Sequence, residues 1–175
     1  SRPDEVARVP LVVIGAGPVG LAAAIDAAQR GVPVVLLDDD KTVSIGSRGL
    51  CYAKRTLEIL DRLGQGPLSV GQRVVDKGQT WNIGRTFFGD EEVFRFNLLP
   101  EPDHRRPGMV NLQQYYLEQY LVECAQQTPG LDLRWCSKVV DLKADDLQGQ
   151  VQPGAQPVQL RVETPQGSYE LQADW

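Results

Sequence analysis

The hexapeptide GAGPVG, residues 15–20, constrains this chain more than any other feature. It sets Gly15, Gly17 and Gly20 in a G-x-G-x-x-G spacing, directly after an apolar run ending at Ile14 and directly before an alanine-rich segment free of helix breakers. Each glycine answers a different steric demand. The first allows a tight strand-to-helix turn, the second lets the backbone approach a pyrophosphate without a Cβ in the way, and the third lets helix lie close on strand. Ala16, Pro18 and Val19 complete the turn, and the helix it opens offers unpaired N–H groups and the positive end of a dipole to phosphate. Gly31 then stands where a helix C-terminal cap belongs, followed by the apolar run 32–37 and an acid at Asp38. Strand, turn, helix and strand from about Leu11 to Asp38 make a dinucleotide-binding βαβ unit.

Asp38 lies at the tip of the second strand, where a carboxylate can accept hydrogen bonds from the hydroxyls of an adenosine ribose. Asp39 and Asp40 follow it. Three acids in a row repel a 2′-phosphate, which disfavours NADP in this pocket. Asp39 is a candidate adenosine contact, although a solvated turn is the plainer reading of Asp39 and Asp40. Periodicity does not separate NAD from FAD.

Beyond Asp38, the stretch SIGSRGLCY reads as loop, and Ala53, Leu57, Leu60 and Leu63 recur at helical spacing before Gly64. Residues 79–97 suggest two or three antiparallel strands turning at Gly89-Asp90, and Asn111 is a candidate N-cap for a helix ending near Gln127. Further strands are expected at 131–135, 139–142, 158–164 and 168–173. The last of these stops at an apolar residue, Trp175, so it either docks as a sheet edge or belongs to a fragment of a longer protein, the reading preferred here.

Several function classes fall away on composition. The chain has 175 residues, 42% hydrophobic and 23% charged, with a formal net charge of −5. That is globular composition without the basic field that attracts nucleic acid. No apolar run approaches the roughly 18 residues of a membrane span and the N-terminus lacks signal-peptide character, so a cytoplasmic protein is expected. The three cysteines, Cys51, Cys124 and Cys136, have neither disulfide nor zinc spacing, and no metal site is expected. His104, the single histidine, sits in a proline-flanked stretch and reads as a loop residue.

Three blocks together, GAGPVGLAAAIDAAQRGVPVVLLDDD, GSRGLCYAKRTLEILDRLG and NLQQYYLEQYLVE, resemble the N-terminal part of the class A flavoprotein monooxygenases. These are FAD-dependent aromatic hydroxylases of the p-hydroxybenzoate hydroxylase fold, and the likeness is strongest to the phenol-type and hydroxyphenylpropionate-type enzymes. The resemblance covers nearly the whole chain. It implies an α/β fold, a Rossmann-like FAD-binding βαβ domain with antiparallel strands inserted and incomplete at the C-terminus. Residues 9–78 and 108–175 would form the FAD-binding core and 79–107 the start of the substrate-side strands.

The resemblance also implies FAD as cofactor, NADH or NADPH as transient electron donor, O2 as oxidant and a small aromatic substrate. It assigns Ser47 and Arg48 to a block beside the flavin and its pyrophosphate, and Gln114 to the flavin side. Arg48 also reads as an ordinary surface arginine. Gln114 shares a helical face with Leu117, Leu121 and Cys124, while a water-facing glutamine and a register shift to Gln113 remain open. The aromatic residues Trp81, Phe87, Phe88, Phe94 and Phe96 are candidates for a pocket wall or for sheet packing. No catalytic acid–base pair is apparent. The family's Asp-Gly and Gly-Asp motifs and its dimerisation region are absent from these residues, so the fragment alone is expected to be inactive, with a homodimer left open for a full-length protein. The alternatives are an FAD-dependent dehydrogenase or reductase and a non-catalytic dinucleotide-binding module.

Overall fold

The computed structural model describes residues 6–43, 49–144 and 157–175. In chain order its elements are β1 (Ala7–Val9), β2 (Leu11–Ile14), α1 (Pro18–Gln29), β3 (Val34–Leu37), β4 (Cys51–Ala53), α2 (Lys54–Leu60), α3 (Val70–Lys77), β5 (Gln79–Trp81), β6 (Ile83–Phe88), β7 (Glu91–Asn97), β8 (Met109–Asn111), α4 (Gln114–Gln126), β9 (Leu131–Arg134), β10 (Lys138–Lys143), β11 (Val158–Thr164) and β12 (Gly167–Ala173). Two compact units arise, one from residues 1–44 with 125–175 and the other from 45–124. Among the described residues no helix is long and apolar enough to cross a membrane.

In the first unit β2, β3 and β9 form a parallel sheet in that order, with β3 central. Val34, Val35, Leu36 and Leu37 are all buried, as a parallel strand covered on both faces requires of an uninterrupted apolar run. The crossover helix α1 buries Leu21, Ala24, Ile25 and Ala28, a stripe at i, i+3, i+4 and i+7. It stops at Gly31, whose φ of +85° is left-handed. A second sheet, ordered β1-β12-β11-β10, supplies Leu160, Val162, Leu171 and Ala173 to a core shared with Val35 and Leu37. β12 is therefore an interior strand between β1 and β11, not the edge considered from sequence, and Val12 N–H donates to the Trp175 carbonyl.

The second unit holds a three-stranded antiparallel sheet, β4-β8-β5, and a β6–β7 hairpin that turns at Gly89. Three expectations need correction here. Cys51 and Tyr52, read as loop, begin β4, because β8 pairs with them from more than fifty residues downstream. Asn111 is a strand residue rather than a helix cap: its Oδ1 accepts the Trp81 indole N–H at 2.9 Å, and α4 starts three residues later. Ala53 is exposed at the end of β4, so the apolar stripe of α2 comprises Leu57 and Leu60, with Leu63 buried just beyond the helix. The buried Arg106 ties the unit together by a bidentate contact to the Asp61 carboxylate and a 3.0 Å bond to Gln72 Oε1.

Candidate cofactor site

The chain leaves β2 at Ile14 and reverses at Gly15, whose φ of +100° no L side chain adopts easily. Gly15 N–H donates to the Leu37 carbonyl at 2.7 Å, so the turn is stitched to the end of β3. Gly17 caps α1 with φ −74° and ψ 178°, and Pro18 takes a first-turn position where a missing N–H costs nothing. An added Cβ at Gly15 or Gly17 would find no atom of the described residues within 4 Å. An added Cβ at Gly20 would instead fall on the Gly15 carbonyl oxygen, with Gly15 C at 3.2 Å and Val13 Cγ1 at 3.4 Å. The three glycines thus divide as the spacing predicts: two face open space and the third lets α1 press on β2. Val19 is 84% exposed on the same turn. A backbone cradle without side chains, at a helix N-terminus whose first N–H groups lack helical acceptors, fits a pyrophosphate.

Asp38 continues from β3, its own N–H bonded to the Arg134 carbonyl at 3.0 Å. Its Oδ2 accepts from Ala16 N–H at 2.5 Å and its Oδ1 from Asp40 N–H at 2.9 Å. The carboxylate therefore braces the glycine turn from the neighbouring strand end, a second task beside that read from sequence. Each oxygen has further lone-pair capacity, so hydroxyl donors can still be received. Ser137 N–H donates to the Asp38 carbonyl and Cys136 N–H to the Asp40 carbonyl, which carries the segment after β9 alongside.

These strand ends enclose a cavity of about 170 Å³ lined by Ile14, Gly15, Leu37, Asp38, Asp39, Ser137, Lys138 and Val139. Among the described residues its acids are Asp38 and Asp39 and its one cation is Lys138, a wall suited to a neutral, hydroxyl-bearing group. Sequence reasoning missed Ser137, Lys138 and Val139. The available signal was the position of CSKV between two strands, with β9 in the same parallel sheet as the motif strand.

The remaining candidates lie elsewhere in the chain. Ser47 and Arg48 fall outside the described residues. Gln114 belongs to the second unit, where it opens α4 half-buried on the stripe of Leu117, Leu121 and Cys124, while Gln113 is exposed. Its Nε2 donates to Glu118 Oε1 at 2.6 Å. Glu118, which the sequence reading did not select, is only 2% exposed. Burial, reinforced by the charges of Glu118 and Cys51, pushes the Tyr52 phenol up to about 12. Phe87, Phe88 and Phe94 are 55%, 81% and 60% exposed on the hairpin, so they do not fill the core of this unit. His104 is an exposed loop residue whose Nδ1 lies 3.0 Å from Lys54 Nζ. Among the described residues no group of three or more His, Cys, Asp or Glu side chains could hold a metal ion.

Comparison with known proteins gives this geometry a context. A model of the FAD binding domain family matches residues 8–175. The 6-hydroxy-3-succinoylpyridine 3-monooxygenase HspB of Pseudomonas putida (strain DSM 28022 / S16) is 30% identical over 131 residues, 75% of this chain and 33% of that protein. The crystal structure of the p-nitrophenol 4-monooxygenase PnpA from Pseudomonas putida DLL-E4 superposes with a TM-score of 0.81 at 26% identity, over 97% of this chain and 40% of that one. The flavin-dependent monooxygenase PieE, solved in complex with FAD and substrate, gives 0.74 at 26% identity over 99% of this chain and 30% of its own. The chain thus spans 30–40% of the length of these three relatives.

Proposed function

Because this chain belongs to the FAD binding domain family, we propose that it is the FAD-binding portion of a flavin-dependent monooxygenase that hydroxylates a small phenol-like substrate, using O2 and NADH or NADPH. The observation that carries the reading is the turn at residues 15–20, open in front of Gly15 and Gly17 and braced by Asp38 at the adjoining strand end. In this reading Gly15, Ala16, Gly17, Pro18, Val19 and Gly20 receive the pyrophosphate. Asp38 takes the adenosine ribose, with Asp39 beside it, and Ser137 to Val139 form the far wall of the adenosine cavity. By resemblance, Ser47, Arg48 and Gln114 are assigned to the flavin half. When bound, FAD supplies oxygen activation for ring hydroxylation. The residues of this chain anchor and orient the cofactor, and none of them is assigned as a catalytic acid or base.

The aromatic substrate class draws support from the relatives, whose names specify a hydroxypyridine and a nitrophenol. Residues 79–107 are proposed as the beginning of the substrate side, with the exposed phenylalanines of the β6–β7 hairpin contributing aromatic surface. The decisive experiment is reconstitution. Apoprotein titrated with FAD should acquire a flavin spectrum, and the enzyme containing it should incorporate labelled oxygen from O2 into a phenolic substrate. Protein that stays colourless in excess FAD rejects the cofactor assignment; flavin reduction without oxygen incorporation rejects the hydroxylase.

A further inference from the structure

Two groups in the second unit are buried in a way the proposed cofactor contacts do not by themselves require. Glu118 is 2% exposed although it carries a carboxylate, and the Tyr52 hydroxyl is buried with no hydrogen-bond partner among the described residues. A carboxylate only accepts, so the end of a glutamine amide that faces it must be the nitrogen. The 2.6 Å bond from Gln114 Nε2 to Glu118 Oε1 obeys that demand and is charge-assisted. The amide oxygen lies toward Gly49, where an added Cβ would be 3.1 Å from Oε1 and 4.0 Å from Cδ. A larger residue at position 49 would press on that oxygen. The charge on Glu118 is also felt by Tyr52, whose phenol it helps to hold neutral.

We propose that Glu118 is a positioning residue that fixes the side-chain amide of Gln114, nitrogen turned to the buried carboxylate and oxygen turned to Gly49, so that Gln114 meets a ligand as an acceptor for a hydroxyl or imide N–H. The inference rests on the reading of Gln114 as a cofactor contact, and FAD carries both kinds of donor. A glutamine free to flip would present donor and acceptor in turn and lose selectivity between them. Glu118 removes that ambiguity before any ligand arrives, which lowers the ordering cost of binding.

The test begins on apoprotein labelled with nitrogen-15. The Nε2 protons of Gln114 should exchange with water about tenfold or more slowly than those of the exposed Gln113, as a charge-assisted hydrogen bond implies. Glu118→Gln should abolish the difference. In FAD titrations followed by flavin fluorescence, Glu118→Gln and Gln114→Ala should each weaken binding about tenfold, and the double variant should be no weaker than Gln114→Ala. A merely structural Glu118 would weaken binding further in the double variant, and that outcome overturns the proposal. Equal exchange of Gln114 and Gln113 in the parent protein overturns it as well, even if Glu118→Gln does not fold. A protein that binds no FAD while Gln114 stays protected overturns the cofactor reading alone and leaves the amide orientation standing.

Discussion

Gly17→Val and Gly20→Ala should separate cofactor binding from folding within one six-residue turn. At Gly20 the new methyl lands on the Gly15 carbonyl oxygen, with Val13 Cγ1 also at 3.4 Å, so α1 must lift from β2. Overpacking of this kind costs about 1–3 kcal/mol, while replacing a helical glycine by alanine returns up to about 1 kcal/mol. At the middle of those ranges the net loss is about 1–2 kcal/mol, which lowers the Tm of a chain this long by roughly 2–8 °C. At Gly17 the backbone sits at φ −74° and ψ 178°, open to any L residue, with no atom of the described residues within 4 Å of the added Cβ. Valine there should cost the apoprotein no more than about 1 kcal/mol, the difference between a glycine and a branched residue at an N-cap. Its isopropyl group, however, fills the space that the proposed site offers to phosphate. Losing one or two hydrogen bonds to a charged group, at about 1.5–3 kcal/mol each, weakens FAD binding by at least tenfold. Thermal denaturation of apoprotein and fluorescence titration with FAD read the two effects independently. A Gly17→Val protein with unchanged FAD affinity, or a Gly20→Ala apoprotein as stable as its parent, would refute the division of labour.

Asp38→Asn leaves one of the Ala16 and Asp40 N–H groups without its carboxylate acceptor, so calorimetric FAD affinity should fall about tenfold and the apoprotein should lose about 1 kcal/mol; unchanged values would remove Asp38 from the site. Arg106→Ala removes the buried bidentate partner of the Asp61 carboxylate, leaving it only the exposed Arg105 at 3.7 Å, and should cost about 3 kcal/mol in urea denaturation, whereas Arg105→Ala, on a side chain 81% exposed, should stay within about 0.5 kcal/mol. Tyr52 titrates near 12 in the folded chain against 10.0 for an ordinary tyrosine, so folding favours its neutral form. Its contribution is complete below the ordinary tyrosine pKa and is lost as pH rises toward the folded value. Tyr52→Phe should therefore flatten the alkaline fall in stability over that window and, by deleting a hydroxyl unpartnered among the described residues, cost nothing at neutral pH. Denaturation midpoints on either side of the ordinary tyrosine pKa check both.

The features legible in the sequence are those with local causes. The βαβ unit was readable because each demand on it, an apolar strand, a side-chain-free turn, a helix stripe and a terminal glycine, is met by residues within a few positions of one another. The strands of 131–173 were readable for the same reason. Elements whose cause is distant were not. β4 exists because β8 pairs with it, and its three residues carry no alternation that a strand reading could use. β1, equally short, forms because β12 returns beside it in parallel. α3 contains Gly71, which lowers helix propensity but sits where a Cβ would meet the Asp61 side chain and the Leu57 carbonyl.

The same distinction runs through the candidate site and explains why its two sides were unequally visible. The proposed phosphate side is one contiguous hexapeptide, so its sequence is its geometry. The proposed adenosine side is a junction of three strand ends, at residues 14–15, 37–39 and 137–139, and the last is tied to the others by backbone bonds such as Ser137 N–H to the Asp38 carbonyl and by Val139 packing on the core of Val35 and Leu37. Backbone bonds leave no residue preference behind, and an apolar packing position such as Val139 is common to any strand, so Ser137, Lys138 and Val139 carry no motif. Lys138 can be tested on that ground. If the cavity takes a neutral adenosine, Lys138→Ala should change FAD affinity less than Asp38→Asn does. A larger loss at Lys138 would mean that the cavity receives a negatively charged group, and the adenosine assignment would have to be abandoned.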